Sequence, residues 1–122
     1  MNEPVVVADE VSAIVGVLKA ALAEGVALVV TTGGTGLALR DVTPEATTSV
    51  IDREVPGLTE MMRAAGRAKT PLAALSRAVA GTSGRTLILN LPGSPKGVTE
   101  SLEAVLEVLP HALDVLAGPT DH

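Results

Sequence analysis

The stretch Val26 to Gly36, VALVVTTGGTG, decides the fold. Its first seven residues form a continuous apolar and β-branched run, which is typical of a strand buried on both faces of a parallel sheet. The run leads directly into a loop formed by Gly33, Gly34, Thr35 and Gly36. A glycine-bearing turn at the end of a strand indicates a loop that leads into a helix.

The same arrangement occurs a second time. Thr86 to Leu91 is another run typical of a buried strand, and Pro92 to Pro95 follows it as a loop of small residues. Thr43-Pro44 and Ser94-Pro95 then open the two helices that follow the loops. Helix amino termini hold phosphate well, and ligands of α/β sheets bind where the strands end. Two such loops at one edge would suit a ligand with two phosphate-bearing parts.

The rest of the chain predicts strands and helices in alternation. Val5 to Ala8 predicts a strand, and the helical period from Val11 to Leu22 predicts a helix that Gly25 ends. Three further helices are predicted, from Thr43 to about Arg53, from Leu58 to Ala65 and from Val98 to Leu109. Single helical turns are predicted at 72–77 and 111–116, and a hairpin-type turn at 81–84. We therefore predict an α/β fold of three layers, with a mostly parallel sheet and helices on both faces. We expect one domain over residues 1–118 and a polar tail at 119–122.

The last predicted helix is amphipathic. Its apolar stripe, expected to face the core, consists of Val98, Leu102, Val105, Leu106 and Leu109. Glu100, Glu103 and Glu107 are expected to point away from that stripe.

Composition restricts the class of function. The 122-residue chain has a formal net charge of −5 and contains no Cys, Phe, Trp or Tyr. The lack of Cys excludes disulfides and thiolate chemistry, and the lack of aromatic rings argues against single-stranded nucleic acid, which lies on stacking platforms. No apolar run reaches the ~20 residues that span a bilayer, and no signal sequence follows Met1. We therefore expect a cytoplasmic protein with neither nucleic acid nor membrane as partner.

The charges are unevenly distributed along the chain. From Arg53 to Lys96 there are seven basic residues and only two acidic ones. A local anion site is therefore compatible with the negative net charge. Arg77 and Lys96 are candidates for contacts to phosphate, with solvated side chains as the alternative.

Two carboxylates, Asp9 and Asp41, follow strand-like runs. Carboxylates beside bound phosphates suit Mg2+, which takes oxygen ligands and keeps several waters. The alternatives are a helix cap for Asp9 and a plain loop carboxylate for Asp41, and the glycines of both loops are also explained by turn geometry alone. Neither loop matches a common nucleotide-binding fingerprint, and His111 is best explained as a packed or surface histidine.

Several segments in order resemble one protein family. These are VADE at 7–10, TTGGTG at 31–36, RDVTPEAT at 40–47, PGLTEMMR at 56–63, LSR at 75–77 and NLPGSPKGV at 90–98. Together they resemble the bacterial Mog and MoaB proteins and the G domain of gephyrin, over residues 5–118.

The resemblance implies an α/β domain, commonly a homotrimer, that acts in molybdenum cofactor biosynthesis. With Mg2+, that domain transfers the adenylyl group of ATP to the terminal phosphate of molybdopterin and releases pyrophosphate. It implies catalytic and metal-binding roles for Asp9 and Asp41. It also implies ligand and phosphate binding by Thr31, Thr32, Gly33, Gly34, Thr35, Gly36, Pro92, Gly93, Ser94, Pro95 and Lys96, with Gly93 to Pro95 on the pterin side.

The chain departs from the family pattern at its amino-terminal end. Family members usually carry a further strand and helix, with a Ser-Asp loop, ahead of the segment that matches Val5 onward. Without that strand we expect exposed apolar surface and a long unpaired sheet edge. Two alternatives to the enzyme follow: a module that binds molybdopterin without catalysis, and a domain like that of competence-damage proteins, which the RDVTPEAT segment disfavours.

Overall fold

The computed structural model describes residues 3–118, which form a four-stranded sheet with five α-helices and one 3-10 helix. The strands are β1 (Leu28–Thr32), β2 (Arg53–Glu54), β3 (Ala80–Ser83) and β4 (Thr86–Leu91). The helices are α1 (Val11–Ala23), α2 (Thr43–Val50), α3 (Pro56–Arg67), α4 (Pro95–Val105), α5 (Leu109–Ala117) and the 3-10 helix Pro71–Leu75. The predicted polar tail at 119–122 lies outside the described residues.

Helices cover both faces of the sheet, as predicted. Successive side chains of a strand point to opposite faces. On β4, Leu87, Leu89 and Leu91 accordingly join an apolar cluster with α3, α4 and α5, whereas Ile88 joins a second cluster with α1 and α2. All six residues of β4 are buried, so this strand is the centre of the core.

The sheet is mixed, and the prediction of mostly parallel strands is wrong in this respect. The strand order is β1-β4-β3-β2, in which β1 and β4 are parallel while the other two described pairs are antiparallel. The reason is the hairpin between β3 and β4, where Gly84 takes a φ of 58° that favours glycine. The predicted hairpin is therefore present, with Gly81, Thr82 and Ser83 in a strand rather than in the turn.

β1 is an edge strand, contrary to the prediction of burial on both faces. Among the described strands it pairs only with β4, and Val30 on it is 41% exposed. The segment from Val5 to Ala8 forms no strand, since no described strand pairs with it, and Val6 is 98% exposed. The unpaired edge and the exposed apolar side chains expected from the family pattern are thus found.

Several helix limits differ from those predicted. The helix that opens at Thr43 ends at Val50, because the chain then pairs as β2. α3 begins at Pro56 and α5 carries Pro110 in its first turn, where a missing backbone N–H costs nothing. Leu106, predicted to face the core, is 61% exposed because α4 ends before it. Within residues 3–118, no helix has the length and apolar character needed to cross a membrane.

Candidate functional site

The two glycine-bearing loops lie side by side at one edge of the sheet. Thr32 is opposite Leu91 at the ends of parallel β1 and β4, and the N–H of Gly33 donates to the Leu91 carbonyl at 2.9 Å. A Cβ placed on Gly93 would lie 3.4 Å from the Cα of Gly33. The two loops therefore touch through their glycines, as the parallel pairing predicted.

Glycine is required by the geometry of the first loop. Gly33 and Gly34 have φ values of 85° and 69°, in the left-handed region. A Cβ on Gly34 would lie 2.3 Å from Oγ1 of Thr43, and one on Gly36 would lie 2.9 Å from Oδ2 of Asp41. Turn geometry thus accounts for these glycines, and it also brings the start of α2 and the Asp41 carboxylate against the loop.

Arg77 holds this loop through three of its side-chain N–H groups, and its candidacy for a contact to phosphate stays a prediction. Its Nε donates to the carbonyl of Gly36 at 2.7 Å, its Nη2 to the carbonyl of Asp41 at 2.5 Å, and its Nη1 to Oε2 of Glu45 at 2.6 Å. Its own N–H donates to the carbonyl of Thr35 at 2.8 Å. One side chain therefore fixes both ends of the segment 36–41 and ties it to α2.

The Arg77 guanidinium also sets the protonation of Glu45. Its hydrogen bond to the carboxylate holds the pKa of Glu45 below the ordinary value of 4.5. The side chain is exposed, so solvent screens the pair and its contribution to stability is small.

The two candidate metal carboxylates precede neighbouring helices. Asp41 is half-buried before α2, and its Oδ2 accepts a hydrogen bond from the N–H of Ala38 at 3.1 Å. Asp9 is exposed before α1, whose N-cap is Glu10 without a side-chain capping bond, so the capping alternative for Asp9 is not observed. Val7 and Val42, which flank these carboxylates, pack against the same apolar cluster under α1 and α2.

Asn90 joins the strand end to the elements around it. This residue is fully buried, and its Oδ1 accepts from the N–H of Val79 at 3.0 Å. Its Nδ2 donates to Oγ1 of Thr31 at 2.9 Å and to Oγ1 of Thr47 at 3.0 Å. Thr31, a predicted ligand-binding residue, therefore has its hydroxyl engaged in positioning β1 against β4 and α2.

A cavity of about 530 Å³ lies beside the second loop. Five of the predicted ligand-binding residues line it, namely Thr35, Gly36, Pro92, Ser94 and Lys96. The others are residues 31–32 at the end of β1, residues 33, 34 and 93 in the two loops, and Pro95 at the start of α4. Ser94 caps α4 by accepting from the N–H of Gly97 at 3.0 Å, as the Ser-Pro pattern predicted.

The opposite walls were missed by the sequence analysis. Thr59, Met62 and Arg63 of α3 line the cavity, as do Glu100 and Ser101 of α4. Thr59 to Arg63 fall in the PGLTEMMR segment, so the family resemblance carried a signal that was not assigned to the site. Glu100 was expected to point away from the apolar stripe of its helix, and it lines the cavity with its Oε2 buried.

Comparison with known proteins shows which family the chain resembles in sequence and structure. Residues 1–111 match the model of a family described as a probable molybdopterin binding domain. Molybdopterin adenylyltransferase from Helicobacter pylori is 52% identical over 91 residues, which cover 75% of this chain and 52% of that protein. The molybdopterin biosynthesis enzyme MoaB from Thermus thermophilus is similar in structure, with a TM-score of 0.84 and 66% identity over 90% of this chain and 70% of that chain.

The likeness to MoaB is stronger than the likeness to a CinA protein, which represents the competence-damage alternative. The chain spans about half the length of the adenylyltransferase that it matches, 52% of it. A CinA protein from Thermoplasma acidophilum has a TM-score of 0.57 at 21% identity over 81% of this chain and 71% of that one, a likeness of fold alone. The chain therefore belongs to the molybdenum cofactor biosynthesis family of the Mog and MoaB proteins.

Proposed function

We propose that this chain transfers the adenylyl group of ATP to the terminal phosphate of molybdopterin. The observation that carries the proposal is the contact between the two glycine-bearing loops, beside a cavity of about 530 Å³. A strand-to-helix loop suits an anionic ligand group, and two in contact suit two such groups. The match to the family and to relatives named molybdopterin adenylyltransferase supports the choice of substrates.

The proposed reaction needs no covalent intermediate on the protein. An oxygen of the molybdopterin phosphate attacks the α-phosphorus of ATP, a new P–O bond forms, and the bond to the β-phosphate oxygen breaks to release pyrophosphate. Such a transfer depends on in-line positioning and charge neutralisation. Lys96 at the cavity and the first amides of α4 would supply positive charge, and the loop 33–36 would position phosphate through its backbone.

The donor set around Asp41 fits Mg2+. The Asp41 carboxylate uses one of about four acceptor positions on Ala38. Mg2+ usually takes one or two carboxylates together with waters and substrate phosphates. Asp41 and Asp9 would hold the ion, which would neutralise charge on the phosphates.

The assembly is part of the proposal. On the family resemblance, we infer a cytoplasmic homotrimer in which residues 1–118 form one domain. Sedimentation equilibrium of the purified chain tests the oligomer, and a monomer at all concentrations would contradict it.

Release of pyrophosphate from ATP in the presence of molybdopterin tests the function. We expect release that depends on both substrates and on Mg2+, with a reaction lacking molybdopterin as the control. The alternative is a module that binds molybdopterin without catalysis. Binding of molybdopterin without release of pyrophosphate would support the module.

A further inference from the structure

One carboxylate oxygen in the cavity lacks a hydrogen bond. Oε2 of Glu100 is the one buried side-chain polar atom without such a partner among residues 3–118. The side chain as a whole is 25% exposed and lies in the cavity wall formed by α4. A buried oxygen without a partner is costly, so natural proteins retain few of them and usually for a reason.

Lys69 does not account for this oxygen. Its Nζ lies 3.5 Å from Oε2, close enough for an ion pair but without hydrogen-bond geometry, and its side chain is 63% exposed. An exposed lysine in such a loose pair adds little stability. The Glu100 oxygen therefore keeps its capacity to accept a hydrogen bond from a group inside the cavity.

The surroundings indicate the shape of that group. Met62, Ala73 and Leu75 line the same cavity and make part of its wall apolar, which favours a ring system as ligand. α4 rises by about 1.5 Å per residue, so Glu100 lies about 9 Å along the helix from Ser94 at its amino terminus. A ligand with phosphate near the start of α4 would thus place the far edge of its ring at Glu100.

We infer that Glu100 determines specificity by accepting hydrogen bonds from the 2-amino and N3–H groups of a pterin ring. A carboxylate is an acceptor only, and it pairs best with two adjacent N–H donors. The pyrimidine edge of a pterin presents such a pair, whereas adenine presents a donor beside an acceptor. The inference rests on the proposed function, since it assigns the pterin half of molybdopterin to the α3–α4 side of the cavity.

The test compares two ligands that differ in one of these donors. Binding of 6-hydroxymethylpterin phosphate and of its lumazine analogue, which carries oxygen in place of the 2-amino group, is measured by calorimetry. We expect the unaltered chain to prefer the pterin by about 10- to 100-fold, the range for a hydrogen bond to a charged group. Glu100→Gln should abolish or reverse the preference, because the amide can donate to the lumazine oxygen, while ATP binding stays unchanged.

Lys69→Met is the matched control. It removes the ion pair and leaves the carboxylate, so the preference for the pterin should persist. An unchanged preference in Glu100→Gln, an equal loss in Lys69→Met, or no pterin affinity in the unaltered chain would each overturn the inference. A loss of GTP binding rather than pterin binding in Glu100→Gln would overturn it as well, since guanine has the same donor pair.

The pyrophosphate assay tests the proposed function separately. Adenylyl transfer by Glu100→Gln with a normal KM for molybdopterin would refute the role of Glu100 and leave the proposed function standing.

Discussion

At the scale of single residues, Arg77 shows how one side chain fixes a loop. Its guanidinium donates to two loop carbonyls and to Glu45, a fork that the single ammonium of lysine does not reproduce. We expect Arg77→Lys to lower the free energy of unfolding by about 1–3 kcal/mol. Chemical denaturation measures this, and hydrogen exchange at the Ala38 amide should become faster.

Arg85→Lys is the control for this substitution. Arg85 is exposed, and its Nη1 donates to the carbonyl of Ala117 at 2.9 Å. We expect its replacement to change the free energy of unfolding by less than about 1 kcal/mol. Equal effects of the two substitutions would show that Arg77 does not hold the loop.

The carboxylate of Asp41 is predicted to act through its charge. Asp41→Asn keeps an oxygen for the Ala38 N–H and removes the charge proposed to bind Mg2+. We expect turnover to fall by at least about a hundredfold, the scale of losing one electrostatic contribution to phosphoryl transfer, while pterin binding largely survives. The measurement is pyrophosphate release, with the exposed Glu107→Gln as the control for lost charge. Normal adenylyl transfer by Asp41→Asn would refute the role.

The pair of Glu45 and Arg77 predicts a dependence of stability on pH. The folded-state pKa of Glu45 is lowered, so its contribution is present above the ordinary value of 4.5 and is lost as the pH falls through the folded pKa. The difference in Tm between the unaltered chain and Glu45→Gln should therefore shrink from pH 7 towards pH values below 4.5. A difference that grows on acidification would contradict this assignment.

At the scale of elements, Asn90 links β4 to β1, α2 and the start of β3. Asn90→Ala removes three hydrogen bonds and leaves the N–H of the half-buried Val79 without its side-chain partner. We expect a loss of about 2–4 kcal/mol in the free energy of unfolding, measured by chemical denaturation. Thr47→Val removes one of these bonds and should cost about 1 kcal/mol. Equal costs for the two variants would refute the linking role.

Elements defined by local pattern were predictable, and those defined by pairing were not. The helical period and Gly25 predicted α1, and the apolar run from Thr86 predicted β4. β2 has two exposed residues, Arg53 and Glu54, and exists because it pairs with β3. No local pattern encodes that pairing, so the sequence predicted a helix that continued to about Arg53 and no strand.

The candidate site was likewise predictable from the sequence only in part. Both loops follow from strand-to-helix patterns in the sequence, and their contact follows from the parallel pairing of β1 and β4. The walls from α3 and α4 depend on how these two helices pack together on one face of the sheet, which periodicity leaves undetermined. Glu100 therefore had the pattern of a solvent-facing residue although its Oε2 is buried at the cavity.

At the scale of the whole molecule, the edge at β1 makes the fold prone to association. Among the described strands β1 pairs on one side only, and Val30 is 41% exposed on it. An apolar edge strand offers unpaired backbone groups to another chain, and a lysine on the edge opposes such pairing. We expect Val30→Lys to reduce light scattering during thermal unfolding while changing the free energy of unfolding by less than about 1 kcal/mol.

Val29→Lys provides the contrast on the same strand. Val29 packs against the cluster formed by α1, α2 and Ile88, so a charge there must leave water. We expect this variant to lose at least about 2 kcal/mol in the free energy of unfolding. Val30→Lys that folds normally and scatters as much as the unaltered chain would show that the β1 edge does not drive association. If light scattering falls in Val30→Lys but not in Val29→Lys, association depends on the β1 edge and not on overall stability.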